Sequence, residues 1–126
     1  MNDEHYELAA ILATHDPGEL YSGLSVLVST AVEGAPCAAL AAFGALHLLL
    51  DPALEQHAAG GGQSAKFARS LAELRDTALD LDGLTVWACA ASVDTMGVDA
   101  ADRLAGVMST PAFLRQTASA RRFIHV

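Results

Sequence analysis

Residues 84–98 read LTVWACAASVDTMGV, and the stretch changes character once. Leu84 to Ala90 favours pleated backbone, through Val86 and Trp87 above all, and is bounded by Gly83 before it and Ser92 after it, so a strand is expected there. Beyond it come small residues, an aspartate and Met96-Gly97, a pattern in which Ser92 is expected to cap a short helix over 93–97. A strand therefore hands over to a helix through a cysteine, Cys89. The fold depends on whether the same hand-over recurs along the chain.

It recurs on both sides. Tyr6 to Thr14, YELAAILAT, suits a buried strand. In the following HDPGEL, Asp16 can cap a helix, Pro17 fits its first position and Glu19 lies in the favourable first turn. Leu20, Leu24, Leu27, Val28 and Ala31 then recur at helical spacing over 18–32. Gly34 ends that helix, APCAALAAF is a second buried strand, and GALHLLL a short helix that stops at Asp51-Pro52. The segment through EQHAAGGGQ is expected to be the least ordered, because Gly60 to Gly62 leave the backbone free. Ser64 caps a helix carrying Phe67, Leu71, Leu74, Ala78 and Leu81 on its apolar side, with Arg69, Glu73, Asp76 and Asp80 on the wet side. After the 84–90 strand, a short helix is expected over 99–106. Another, capped by Thr110 with Pro111 in its first turn, should run to about Ala120, and RRFIHV should form the last strand. Strands alternating with helices predict an α/β fold: one three-layer domain over residues 1–126, its mostly parallel sheet flanked by helices on both faces.

Composition narrows the function. Seven basic against fifteen acidic residues give a net charge of −8 over 126 residues, which repels phosphate backbones and anionic lipid, so no nucleic-acid partner is expected. The first residues, MNDEHYE, are acidic where a secretory signal is basic and then apolar, so a cytoplasmic location is expected. Gly34 to Leu50 contains no Asp, Glu, Lys or Arg, but its length is borderline for a span, and a buried strand running into a buried helix explains it better. Hydrophobic residues make up 52% of the chain, more than one small core readily hides, so subunit contacts are expected.

In open parallel sheets, ligands gather at the carboxyl ends of the strands. Three candidate regions fall there: Thr14-His15, Phe43-Gly44 and Cys89 to Ser92. Amides at a helix start would favour a Cys89 thiolate, whereas burial would make the same residue a small apolar filler; both readings stand. Cys37, early in its strand among alanines, is expected to be core. His15 could donate to a sulfur anion from the end of the first strand. Asp94 is most simply an exposed carboxylate near a helix start. The five histidines never take metal-ligand spacing, no nucleotide-binding glycine pattern follows a strand, and no Gly-x-Ser-x-Gly elbow occurs, so neither metal nor cofactor is expected.

Three stretches resemble the DsrE/DsrF-like family, including its small DsrE-like, peroxiredoxin-like members. THDPGELYSGL resembles the family's Asp-Pro-x-x-x-Tyr signature at Asp16, Pro17 and Tyr21. LAAFGALHLL is similar to Phe-Phe-Thr-Phe-x-Gly-x-Asn-Leu-Leu, with Phe43 matched but Ala42, Ala45 and His47 in place of the threonine, glycine and asparagine. ACAASVDTMGV is similar to Ala-Cys-x-x-Ser-x-x-x-Met-Gly-Ile/Val, matched by Cys89, Ser92, Met96 and Gly97, and PAFLRQTASARRFIHV resembles the closing helix and strand. The resemblance implies a parallel α/β fold with flavodoxin-like layering and assembly into homo-oligomers, trimers or hexamers. It also implies a cysteine, here Cys89, that carries sulfane sulfur as a persulfide between donor and acceptor proteins. The expected function is thus a sulfur-relay or thiol-redox protein with Cys89 as nucleophile and His15, Phe43, Ser92, Met96 and Gly97 around it. The alternatives are a non-enzymatic oligomeric scaffold with an inert cysteine and, more weakly, a small-ligand pocket at the strand ends.

Overall fold

A computed structural model describes residues 5–100 and 103–126. Along the chain come β1 (Leu8–Leu12), α1 (Pro17–Val32), β2 (Cys37–Ala41), α2 (Phe43–Leu50), α3 (Leu54–Gly60) and α4 (Ala65–Asp80). They are followed by β3 (Leu84–Cys89), α5 (Ala90–Met96), β4 (Val107–Met108), α6 (Thr110–Gln116) and β5 (Arg122–His125). The strands form one sheet in the order β4-β3-β2-β1-β5, with every pairing parallel. The α/β class with helices on both sheet faces is as the sequence predicts.

Side chains alternate across the sheet as a pleated strand requires. Leu8, Ala10 and Leu12 of β1, Cys37, Ala39 and Ala41 of β2, and Leu84, Val86 and Ala88 of β3 enter the larger core with Leu20, Leu24, Leu27 and Ala31 of α1 and Ala78 of α4. Ala9, Ala38, Leu40 and Cys89 turn to the other face, where Phe113 of α6 and Tyr6 cover them. Strand order decides which helix goes where. The chain steps from β1 to β4 in one direction, then crosses back to β5. Right-handed connections in opposite directions must lie on opposite faces. The Val93 and Met96 side chains of α5 accordingly pack on the first core, and α6 lies on the second face.

Local chemistry sets the helix ends. The Asp16 carboxylate accepts the Glu19 amide at 2.8 Å, and the Ser64 hydroxyl accepts the Phe67 amide at 3.1 Å, both as ordinary N-caps. Three expectations change. EQHAAGGGQ is largely helical, because Leu54 and Ala58, one turn apart, bury against Ala68 and Leu71 of α4, and only Gly61 onward leaves the helix. The helix expected over 99–106 falls partly on residues 101–102, outside the described residues; 103–106 form a turn. There the Ala105 amide donates to the Val86 carbonyl and the Gly106 carbonyl accepts from Ala88, so these backbone groups pair with β3 instead of with one another. Finally, α6 is capped by Ser109, whose hydroxyl accepts the Ala112 amide at 3.2 Å, not by Thr110, and it ends at Gln116.

Phe113 is the one buried residue within α6, with its ring set edge-on to Trp87 at 6.3 Å and to Phe123 at 6.4 Å. Phe113→Ala should therefore destabilise the protein by about 3–5 kcal/mol, read as a lowered urea midpoint. A loss under about 1 kcal/mol would mean that α6 is held by something other than this ring.

Candidate functional site

Cys89 is the last residue of β3 and the N-cap of α5. The helix begins at Ala90, so Ser92 does not cap it as expected; Ser92 lies inside its first turn, fully buried. In the register, Cys89 stands beside Met108, the last residue of β4. After β3 the chain turns to one face of the sheet, and after β4 to the other. Such a divergence opens a crevice outside the strand ends, the usual place for a ligand site in open parallel sheets. From the far side of this divide, Thr110 places its hydroxyl 3.9 Å from the Cys89 sulfur.

Cys89 is only 4% exposed, and burial by itself raises a thiol's pKa. Here that effect is outweighed. Burial pushes the Cys89 thiol up, but the Ser92 amide, the Ser92 hydroxyl, the Thr110 hydroxyl and the Ala91 amide favour the anion, and the pKa lies below the usual thiol range. The sulfur makes no side-chain capping bond of ordinary geometry, so the amides act by pointing their dipoles at it. Ser92 is oriented for this role: its oxygen accepts the Phe43 amide at 3.0 Å, leaving its hydroxyl hydrogen free for the sulfur. Phe43 sits at φ +46° with its side chain 50% exposed, a left-handed conformation that is costly for a bulky residue. The strained residue thus adjoins Ser92, whose hydroxyl favours the thiolate.

The remaining predicted residues are placed differently. Gly97 closes α5 in the left-handed conformation at φ +66°, its amide donating to the Val93 carbonyl, as a glycine C-cap does. Met96 packs on the first core. The backbone of His15 lies flush against Gly44, where an added Cβ would stand 2.5 Å from the His15 Cβ. His15 lines a cleft with His47 and His57. Cys37 is fully buried; burial, reinforced by Glu7 and partly offset by Arg122, raises its pKa, in keeping with a core residue. Both thiols are free.

Thr110 was expected as a helix cap and not as a partner of sulfur; twenty-one residues separate it from Cys89, and only the packing of α6 brings the two together. Among the described residues, no cluster of His, Cys, Asp or Glu is arranged to hold a metal ion, and no helix is long and apolar enough to cross a membrane. No protein-family model matches the chain, and no curated protein matches it either.

The lowered pKa has a measurable consequence. Iodoacetamide labelling of the native protein against pH should give Cys89 a half-point below the ordinary value of about 8.5. Ser92→Ala should move it upward and Thr110→Val less so, while Cys37 stays unlabelled until the protein unfolds. The sign for stability follows: a depressed folded pKa contributes stability that is complete above the unfolded value and is lost as pH falls through the folded one. Ser92→Ala also leaves the Phe43 amide without its acceptor, at a cost of about 1–3 kcal/mol. A Cys89 half-point at or above that of a free thiol would remove the electrostatic reading.

Proposed function

We propose that this chain is a cytoplasmic sulfur-relay or thiol-exchange protein that uses Cys89 as its nucleophile. One observation carries the reading: a thiol whose pKa is lowered although its environment is apolar, at the divide between β3 and β4. Cysteines that fill space have no need of two amides and two hydroxyls, and reactive ones depend on such donors. The resemblance of ACAASVDTMGV and its neighbouring stretches to the DsrE/DsrF-like family supports the same residue.

The chemistry needs no cofactor. The Cys89 thiolate attacks the outer sulfur of a donor persulfide. A new S–S bond forms as the donor's S–S bond breaks, and the electron pair leaves on the donor as a thiolate. An acceptor thiolate then attacks the outer sulfur of the Cys89 persulfide and regenerates the Cys89 thiolate. The donor brings its sulfur already oxidised, so no external oxidant or reductant enters.

A second reading draws on the 4% exposure of Cys89: an oligomeric binding or scaffold module in which the thiol is inert. The two readings diverge under a persulfide donor. Mass spectrometry of the native protein should show one added sulfur on Cys89 and none on the Cys89→Ser variant; sulfur on Cys37 alone, or on neither cysteine, would leave the scaffold.

Assembly into trimers or hexamers belongs to the same proposal. The second sheet face is covered by a seven-residue helix, and Phe43, Val107, Leu114 and Phe123 remain exposed, apolar side chains that subunit contacts would cover. Multi-angle light scattering should give a mass of three or six chains; a clean monomer across the micromolar range would end this part of the reading.

A further inference from the structure

On the other side of the β2–α2 junction lies a cleft of about 400 Å³ that the Cys89 chemistry does not use. That volume falls within the roughly 300–1,000 Å³ of small-molecule sites. Its polar lining is His15, Asp16, His47, Asp51, His57 and Gln63, and none of its lining residues is Lys or Arg. Leu48, Pro17 and Ala58 supply an apolar part.

The centre of the cleft is a fixed Asp–His pair. Asp51 is buried, and its carboxylate lies 2.6 Å from His57 Nδ1 and accepts the Ala53 amide at 2.9 Å. The buried guanidinium of Arg75 in α4 locks the same turn: its Nη1 donates to the Leu48, Leu49 and Asp51 carbonyls at 3.2, 3.1 and 2.8 Å. In the neutral tautomer that donates Nδ1–H to Asp51, His57 presents its Nε2 lone pair outward, made a better acceptor by the carboxylate behind it. Burial works against ionisation of Asp51, yet the His57 hydrogen bond, the Ala53 amide and the His57 and His47 imidazoles hold its carboxyl below the usual range.

The sign of the cleft follows from a count of its groups. With neutral imidazoles its lining carries two carboxylates, Asp16 and Asp51, and neither Lys nor Arg, in a chain of net charge −8, while the Arg75 guanidinium beside it is taken up by three carbonyls and by Asp76. An anion is therefore disfavoured. A metal ion fits no better, because no cluster of His, Cys, Asp or Glu among the described residues is arranged to hold one. The imidazole acceptors, the buried carboxylate and the apolar wall together suit a cation that brings its own N–H donors and a hydrocarbon part. We propose that the cleft binds a small organic ammonium, its N–H groups donating to His57 and His47, with Asp51 as countercharge and the carbon chain on Leu48 and Ala58.

The test is a proton NMR titration of the full chain with n-butylammonium, using n-butanoate as the charge-reversed control and the imidazole Cε1–H signals as readout. Butylammonium at about pH 7.5 should shift the His57 and His47 signals saturably. Affinity should fall about tenfold or more in His57→Gln. His47→Gln serves as a second variant should His57→Gln disturb α3, and Cys89→Ser should bind as the parent does, keeping the result separate from the sulfur chemistry. Butanoate binding as tightly as the amine, imidazole signals that do not saturate, or an affinity unchanged by both histidine substitutions would overturn the proposal.

Discussion

The constraint on which this structure depends is the return of the chain from β4 to β5, at opposite edges of the sheet. Four strand gaps of about 4.8 Å must be crossed, roughly 19 Å, and right-handedness forbids the face already occupied by α1 and α4. A seven-residue helix advances only about 10 Å, so α6 covers part of the second face and residues 117–121 complete the crossing. This one passage has three effects. It buries Phe113, it leaves Phe43, Leu114 and Phe123 in solvent, and it brings Thr110 across to Cys89. The candidate site and the incomplete apolar cover share one topological cause.

At Cys89 two opposing terms meet. Removing a thiolate from water is unfavourable, and the surrounding Ala42, Leu40 and Phe113 offer no compensation. The donors of α5 and Thr110 do, and the direction of the shift shows that they prevail. Cys37 provides the internal control. It is likewise a strand cysteine, but at the start of β2 instead of the end of β3. Its sulfur donates to the Ala35 carbonyl at 3.5 Å, an acceptor that favours the protonated thiol. The same residue type is pushed in opposite directions because burial raises both thiols, and only Cys89 has the amides of the next helix and two hydroxyls to outweigh it.

Much of this was legible in the sequence wherever one segment determined its own state. Asp16-Pro17 and Ser64 announce their helices, the continuous apolar runs of β1 and β2 announce buried parallel strands, and Val86-Trp87 announces β3. Legibility failed where the decision was tertiary. Three glycines after EQHAA suggested an unordered loop, but two side chains, Leu54 and Ala58, found a groove on α4. Residues 103–106 lost their expected helix to a strand partner some twenty residues earlier. At the site, Cys89 and Ser92 could be singled out because they lie one helical turn apart on the same segment. Thr110 and the amide of Phe43 could not, since each reaches the sulfur's surroundings only through a contact distant in sequence, 21 residues for the first and 49 between Phe43 and Ser92 for the second. His15 was assigned to the thiol on topology alone, and the structure places it in the lining of a cleft with His47 and His57.

The junction between β2 and α2 connects these features physically. Phe43 holds a left-handed backbone that relaxation would abandon, with strain of order 1–3 kcal/mol, so its surroundings must over-determine it. They do so from both sides. Its amide is held by Ser92, and the next residue must be glycine because its α-carbon lies against the His15 backbone with no space for a side chain. One turn further along α2, His47 enters the histidine cleft. A two-residue step, Phe43-Gly44, therefore fixes the orientation of the Ser92 hydroxyl on one side and the position of the His15 wall on the other. Its conformation is the local strain from which the geometry of both regions is set.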